Sequence, residues 1–168
     1  MKIGFAVLTV SDRSSQGLRT DLSGPKLKEL ITNAGWDIVE SAVVPDEYEQ
    51  IQTNLLQWCE NPLIDIILST GGTGFAPRDI TPEATKALVE REAPGLCEAM
   101  RIASMKITPY AMLSRSFAGI RGQTLIINLP GSPKAVEENF LVIQDVFPHA
   151  VSLLREDPHA EQDHERNG

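Results

Sequence analysis

Histidine is scarce in this 168-residue chain: there are three, and two of them, His159 and His164, fall in the last ten residues. A Ser-His-Asp hydrolase or a His-ligated zinc centre would lack its central side chain. Cysteine is scarcer. Cys59 and Cys97 have no Cys-x-x-Cys spacing, sit in segments of helical pattern, and read as reduced, half-buried apolar residues rather than a disulfide or metal pair. No run approaches the roughly 20 apolar residues of a membrane span. Met1-Lys2-Ile3-Gly4 leads straight into an apolar segment without a signal-peptide cleavage pattern. The expectation is a cytoplasmic protein that spans no membrane. An excess of positive charge is also missing. Lys and Arg number 15 against 23 Asp and Glu, a net charge of −8, which removes the electrostatic footprint of a nucleic-acid binder. Two phosphate-binding patterns are absent too. Counted from Gly72 and Gly74, the dinucleotide fingerprint needs glycine at Pro77, and no Gly-Lys-Ser/Thr ends a triphosphate loop.

Part of the acidity is local. Between Glu156 and Gly168, five acids stand against one base, Arg166, so that segment carries −4. Its only aliphatic residue is Ala160, too little to order a chain, so 156–168 reads as a disordered tail on a single domain spanning 1–155.

Within that domain, strand and helix signals alternate. Ile3 to Val10 is a continuous apolar strand. Leu22, Leu27, Leu30, Ile31 and Ala34 fall at helical spacing, closed by Gly35. Ile38 to Val44 suits a second strand, and Ile51 to Cys59 a second helix. Ile64 to Leu68 is the third strand. Thr81 as cap and Pro82 in the first turn start a third helix to about Glu90. A fourth helix spans about Leu96 to Lys106. Met112 to Arg121 reads as a loop and short strand, and Thr124 to Leu129 as the last core strand. Ser132 caps a helix begun by Pro133, and another segment runs from Pro148 to about Arg155. Strands separated by helices of this length imply a three-layer αβα fold with a mostly parallel central sheet.

That fold class gives the polar motifs a location. Ser11-Asp12-Arg13, Pro45-Asp46-Glu47, Gly71-Gly72-Thr73-Gly74 and Pro130-Gly131-Ser132 each follow a strand. In a parallel sheet these ends share one edge, where such folds bind ligands. Each motif admits two readings. The glycines either make a tight connection or bring main-chain N–H groups against a phosphate. Asp46 and Asp79 either cap a helix and brace a turn, or hold a Mg²⁺ ion between protein and phosphate or accept a proton. Ser132-Pro133-Lys134 is either a cap or a second anion site. Arg13, Arg78, Lys106 and Arg115 lie near these loops and individually read as surface charges. Carboxylates and glycines without histidine suit phosphoryl or nucleotidyl transfer, which depends on positioning and charge neutralisation.

The run Ser69-Thr70-Gly71-Gly72-Thr73-Gly74-Phe75-Ala76-Pro77-Arg78-Asp79-Ile80-Thr81-Pro82-Glu83 resembles the molybdopterin adenylyltransferase family, which includes the G domains of gephyrin and its plant counterpart. Thr9-Val10-Ser11-Asp12, Val44-Pro45-Asp46-Glu47, Met112-Leu113-Ser114-Arg115 and Ile126-Ile127-Asn128-Leu129-Pro130-Gly131-Ser132 support it in the same order. The resemblance covers about Lys2 to Arg155 and implies a molybdopterin-binding-domain-like fold and a homotrimer. The implied reaction is Mg²⁺-dependent transfer of AMP from ATP to molybdopterin, with pyrophosphate released and a molybdenum-insertion partner downstream. By the same resemblance Asp46 and Asp79 are the essential aspartates and metal ligands. Ser104 and Ser114 correspond to pterin-side serines. Ser11, Asp12, Gly71, Gly72, Thr73, Gly74 and the Pro130-Gly131-Ser132 turn correspond to substrate-contacting positions. The competing expectation is a non-catalytic trimer that holds molybdopterin or serves as a scaffold.

Overall fold

The first strand is apolar along its whole length because it is buried on both faces. All seven residues of β1 (Gly4–Val10) are buried. A computed structural model describes residues 2–158. β1 lies between β2 (Asp37–Val44) and β3 (Ile66–Thr70), and β3 pairs in turn with β6 (Thr124–Leu129), all parallel. β5 (Ala118–Arg121) and the two-residue β4 (Arg91–Glu92) extend the sheet antiparallel, giving the order β2-β1-β3-β6-β5-β4. The sheet is therefore mixed and mostly parallel, as the alternating pattern predicts. Val10 pairs with Val44, Thr9 with Thr70, and Thr70 with Leu129. That register brings the carboxyl ends of four strands level on one edge.

Alternate strand residues face opposite layers. Phe5, Val7, Ile66, Leu68, Leu125 and Ile127 pack beneath α2 (Ser23–Asn33), α5 (Pro94–Met105), α6 (Pro133–Ile143) and α7 (Phe147–Leu154). Ala6, Leu8, Val10, Ile67 and Ile126 pack against α3 (Tyr48–Cys59) and α4 (Thr81–Lys86). On the first face Phe5 stacks on Trp36 at 5.3 Å between centroids, and Phe140 meets Phe147 edge-on at 6.1 Å. Such pairs contribute about 0.5–1.5 kcal/mol each beyond their buried area, and they fix α6 and α7 on the sheet. At the edge away from the motifs, Asp65 is buried, accepts Gly4 N–H at 2.8 Å and pairs with Arg155 at 2.7 Å, locking the end of α7 to the start of the sheet.

Several local expectations change. The third helix stops at Lys86 rather than near Glu90, because the chain turns to supply β4, which has only two exposed residues and no pattern to announce it. Thr81 does not cap that helix. Ile80 is the cap residue, and Thr81 is a fully buried strut. Ser11 caps a short helix, α1 (Asp12–Ser15), that periodicity cannot reveal in four residues. Gly35, at φ 83°, follows the end of α2 as expected. Residues 159–168, most of the acidic segment, lie outside the described residues. No helix among the described residues is long and apolar enough to cross a membrane.

Candidate functional site

The level edge of the sheet holds a cavity of about 340 Å³. Ser11 borders it after β1, Asp46 after β2, Gly71, Gly72 and Asp79 after β3, and Gly131 and Ser132 after β6. All four strand ends contribute, as a parallel sheet requires. The glycines are dictated by space. Gly71 has φ 99°, and a Cβ there would lie 2.2 Å from Val10 O. Gly72 has φ 64°, and its Cβ would fall 2.2 Å from Thr81 Oγ1 and 3.0 Å from Asp46 Oδ1. L-residues avoid this left-handed backbone, and a side chain would fill the space over Asp46. The loop is braced from within. Thr81 donates its hydroxyl to Gly71 O at 3.0 Å and its N–H to Gly72 O at 3.1 Å, and Gly71 N–H reaches Leu129 O at 3.2 Å. Thr70 donates to Pro130 O at 2.7 Å, tying the β3 loop to the β6 turn.

Three carboxylates border the cavity; that of Asp21 is taken up by Thr9, Ser23 and Gly24, which leaves Asp46 and Asp79. Asp46 does not cap α3. Its Oδ2 accepts Asp12 N–H at 2.9 Å, and its own N–H donates to Asp12 Oδ1 at 3.0 Å. Asp79 does brace its turn: Oδ2 accepts Ala76 N–H at 3.0 Å. Among the described residues, Asp46 Oδ1 and Asp79 Oδ1 accept no hydrogen bond. Burial, with the like charges of Asp12 and Asp79, pushes the Asp46 carboxyl above its ordinary value, despite the Asp12 N–H and Arg78. Asp12 is shifted the other way, lowered chiefly by its hydrogen bond to Arg78. Arg78 donates to Asp12 at 2.6 Å, to Glu47 at 2.7 Å and to Asp46 O at 3.2 Å. Asp12 is thus committed to orienting Asp46 and lines a neighbouring depression with Glu47, Tyr48 and Arg78. Ser132 realises the cap reading, its hydroxyl accepting Ala135 N–H at 3.2 Å.

A second cavity, of about 290 Å³, lies on the other side of the same loop. Thr73, Gly74 and Pro130 face it, whereas Gly71, Gly72 and Gly131 face the first. The left-handed turn at Gly71 and Gly72 makes consecutive residues serve different cavities. Its remaining walls come from α5, a 3₁₀ turn at Pro109–Leu113 and the start of α6, with Met100, Tyr110 and Leu113 giving an apolar lining. Ser104 and Ser114 both line it. Ser104 Oγ lies 3.4 Å from Asn139 Oδ1, and Ser114 Oγ lies 3.0 Å from Ser116 Oγ. Cys97 lines it too. Burial pushes the thiols of Cys97 and Cys59 up to about 11, so neither is a ready nucleophile, and both are free.

Some lining residues escaped the sequence reading. Arg19, Thr20 and Asp21 border the first cavity. Asp21-Leu22-Ser23 before a helical pattern is a recognisable cap signal, and Asp21 indeed accepts Gly24 N–H at 3.0 Å. Arg101, Glu138 and Asn139 line the second cavity and had no local signal, since each sits on a helix with ordinary polar spacing. Arg78 and Arg115 are internal tethers of the loop between Gly74 and Asp79 rather than free surface charges.

The fold agrees with comparisons to known proteins. A family described as a probable molybdopterin binding domain matches residues 6–149. The chain is 50% identical over 157 residues to the molybdenum cofactor synthesis protein cinnamon of Drosophila melanogaster, covering 92% of this chain but only 26% of that protein. It therefore spans about a quarter of the length of that relative. It is 42% identical to a molybdopterin adenylyltransferase of Helicobacter pylori, covering 90% of this chain and 88% of that one. The solved structure of the molybdopterin biosynthesis enzyme MoaB from Thermus thermophilus superposes with a TM-score of 0.87 at 44% identity, covering 93% of this chain and 98% of the other. The chain belongs to the molybdopterin-binding-domain family that includes the bacterial molybdopterin adenylyltransferases.

Proposed function

We propose that the protein transfers the adenylyl group of ATP to molybdopterin in molybdenum cofactor biosynthesis. The observation that carries this reading is the pair of unlike cavities sharing one glycine loop: a polar one holding the Asp46 and Asp79 carboxylates, and an apolar one rimmed by serines. The nucleotide occupies the first, with Gly71 and Gly72 giving its phosphates a close approach to the backbone and Ser11 and the Gly131-Ser132 turn bordering them. The pterin occupies the second, between the apolar lining and the hydroxyls of Ser104 and Ser114. Its phosphate points through the wall formed by Thr73, Gly74 and Pro130.

In this reading an oxygen of the pterin's terminal phosphate attacks the α-phosphorus of ATP. The α–β bridging bond breaks, its electron pair leaves with pyrophosphate, and a phosphoanhydride forms. The nucleophile is already an anion, so no base is needed, and the barrier is the meeting of two polyanions in line. Asp46 and Asp79 would hold Mg²⁺, each through a carboxylate oxygen free of protein hydrogen bonds. Among the described residues no third His, Cys, Asp or Glu completes a metal-binding group, a donor set that suits an ion sharing its coordination with substrate phosphate and water. When bound, the ion supplies charge neutralisation between the two substrates. Asp12 and Arg78 keep Asp46 oriented, and the braced glycine loop keeps Asp79 in register.

A homotrimer that works in the cytoplasm and passes its product to a molybdenum-insertion partner completes the proposal. Large apolar residues exposed around the end of α5 favour assembly: Ile102, Met105, Ile107, Tyr110 and Met112 all stand open. Incubation with molybdopterin, ATP and Mg²⁺ tests the reaction, with one pyrophosphate expected per adenylated molybdopterin. Molybdopterin binding without pyrophosphate release would leave a non-catalytic binder or scaffold instead. Light scattering after gel filtration tests the trimer.

A further inference from the structure

Arg115 sits between two residues of the apolar cavity's wall and reaches by its side chain to the loop that carries Asp79. Its neighbours Ser114 and Ser116 line the apolar cavity. Arg101 of α5 holds that segment from behind, donating to Ser116 O at 3.2 Å. From the segment, Arg115 N–H donates to Thr73 O at 2.9 Å and Nε to Gly74 O at 2.7 Å. Nη2 donates to Asp79 O, and Nη1 pairs with the Glu83 carboxylate at the start of α4. One side chain thus bridges both ends of the loop from Gly74 to Asp79. Phe75, Ala76, Pro77 and Arg78 between them are exposed, with no core packing to fix their path. A second arginine tether is Arg78, anchored to Asp12 and Glu47. Among the described residues, of the two arginine tethers only that of Arg115 starts beside the apolar cavity's wall, between Ser114 and Ser116.

We propose that Arg115 is a positioning residue that couples the two cavities: a ligand seated against Ser114 and Ser116 fixes Arg115, and Arg115 fixes the loop that presents Asp79 to the nucleotide. The inference rests on the assignment of nucleotide and pterin given above. It adds that the two substrates bind with positive linkage. Because linkage is reciprocal, molybdopterin strengthens nucleotide binding by the factor with which nucleotide strengthens molybdopterin binding. Coupling of this kind spans about 5–150-fold, and a displaced Asp79 would slow turnover by roughly 10²-fold.

The test is calorimetric titration of the intact protein with α,β-methylene-ATP and Mg²⁺, with and without saturating molybdopterin. The methylene bridge blocks pyrophosphate release, so binding alone is read. In the native protein, molybdopterin should lower the analogue's Kd about tenfold. In Arg115→Ala that factor should fall to about one, with molybdopterin alone bound nearly as well as before. Arg115→Lys should give an intermediate factor, because a compact ammonium keeps the charge but lacks the rigid fork whose separate nitrogens reach Gly74 O and Asp79 O. Undiminished coupling in Arg115→Ala would overturn the proposal. So would failure of both variants to fold, which would make Arg115 simply structural. Native protein that transfers AMP without coupling would overturn this inference alone. Native protein that binds no analogue would overturn the adenylyl-transfer reading with it.

Discussion

The two cavities sit a residue apart on one loop and are built on different principles. The first is a product of strand ends: its walls lie at, or shortly after, the carboxyl ends of four parallel strands, and its chemistry is backbone N–H, hydroxyl and carboxylate. The second is a product of helix packing. Residues from α5, the 3₁₀ turn and α6 meet only after those elements dock, and its lining is largely apolar. A polyanion needs the first kind of wall, where the main chain supplies donors without the desolvation of buried charges. A flat heterocycle needs the second, where apolar area gives affinity and a few hydroxyls give orientation. On the proposed reading, the reaction takes place where the two meet.

The sharpest way to break this division is to disable one cavity and ask whether the other survives. Asp79→Ala should lower adenylyl transfer by roughly 10²–10³-fold or more while leaving the fold and molybdopterin retention intact, and Asp46→Ala should behave alike. Steady-state pyrophosphate release beside a direct molybdopterin binding assay measures both. If molybdopterin binding measured without nucleotide falls with turnover, Asp79 serves the second cavity as well as the first. A smaller effect is expected from the opposite side. Ser104→Ala removes one hydroxyl from the second cavity and should weaken molybdopterin binding by about 1 kcal/mol, near fivefold, with the KM for ATP unchanged. An equal rise in both KM values would move Ser104 out of the pterin subsite.

The smallest effect concerns stability. The folded state raises the Asp46 pKa by burial, so the ionised form is disfavoured in the folded protein relative to the unfolded chain. That penalty is present at neutral pH and fades as pH falls through the folded-state pKa, where Asp46 becomes protonated. Asp46→Asn keeps an acceptor for Asp12 N–H and removes the charge. It should therefore raise the melting temperature slightly at pH 7, lose that advantage in acid, and abolish turnover throughout. Thermal melts of both proteins across pH 4–8 check the sign, and a variant less stable at pH 7 would show that Asp46 contributes to the fold by its charge.

Much of the first cavity is readable in the chain. Ser11, Asp46, the glycine run and Pro130-Gly131-Ser132 each follow a strand, and continuous burial of the central parallel strands on both faces leaves one edge for their ends. Motif order, however, could not divide the glycine loop. Thr73, Gly74 and Pro130 face the apolar cavity, a division that follows from the left-handed backbone at Gly71 and Gly72 and from how the β6 turn packs beside it. Nor could it separate Asp12 from Asp46. Both are acids after a strand, yet the Arg78 fork claims one and burial marks the other. The two arginine tethers looked like surface charge because a pairing across 66 residues for Arg78 and 41 for Arg115 leaves no local trace. α4 and β4 were misjudged for a similar reason: the strand is two residues long and exists only through its partner β5.

By itself the sequence determined the αβα layering, the parallel core and the four loops that meet at one rim, because hydrophobic period and strand order are local properties that parallel pairing converts directly into geometry. Tertiary structure alone decided which side of the glycine loop each residue serves, how the Asp46 and Asp79 carboxylates are held, and which arginines hold the site together. Those outcomes depend on backbone sign at two glycines and on contacts between residues far apart in the chain, and neither quantity is written in any short stretch of residues.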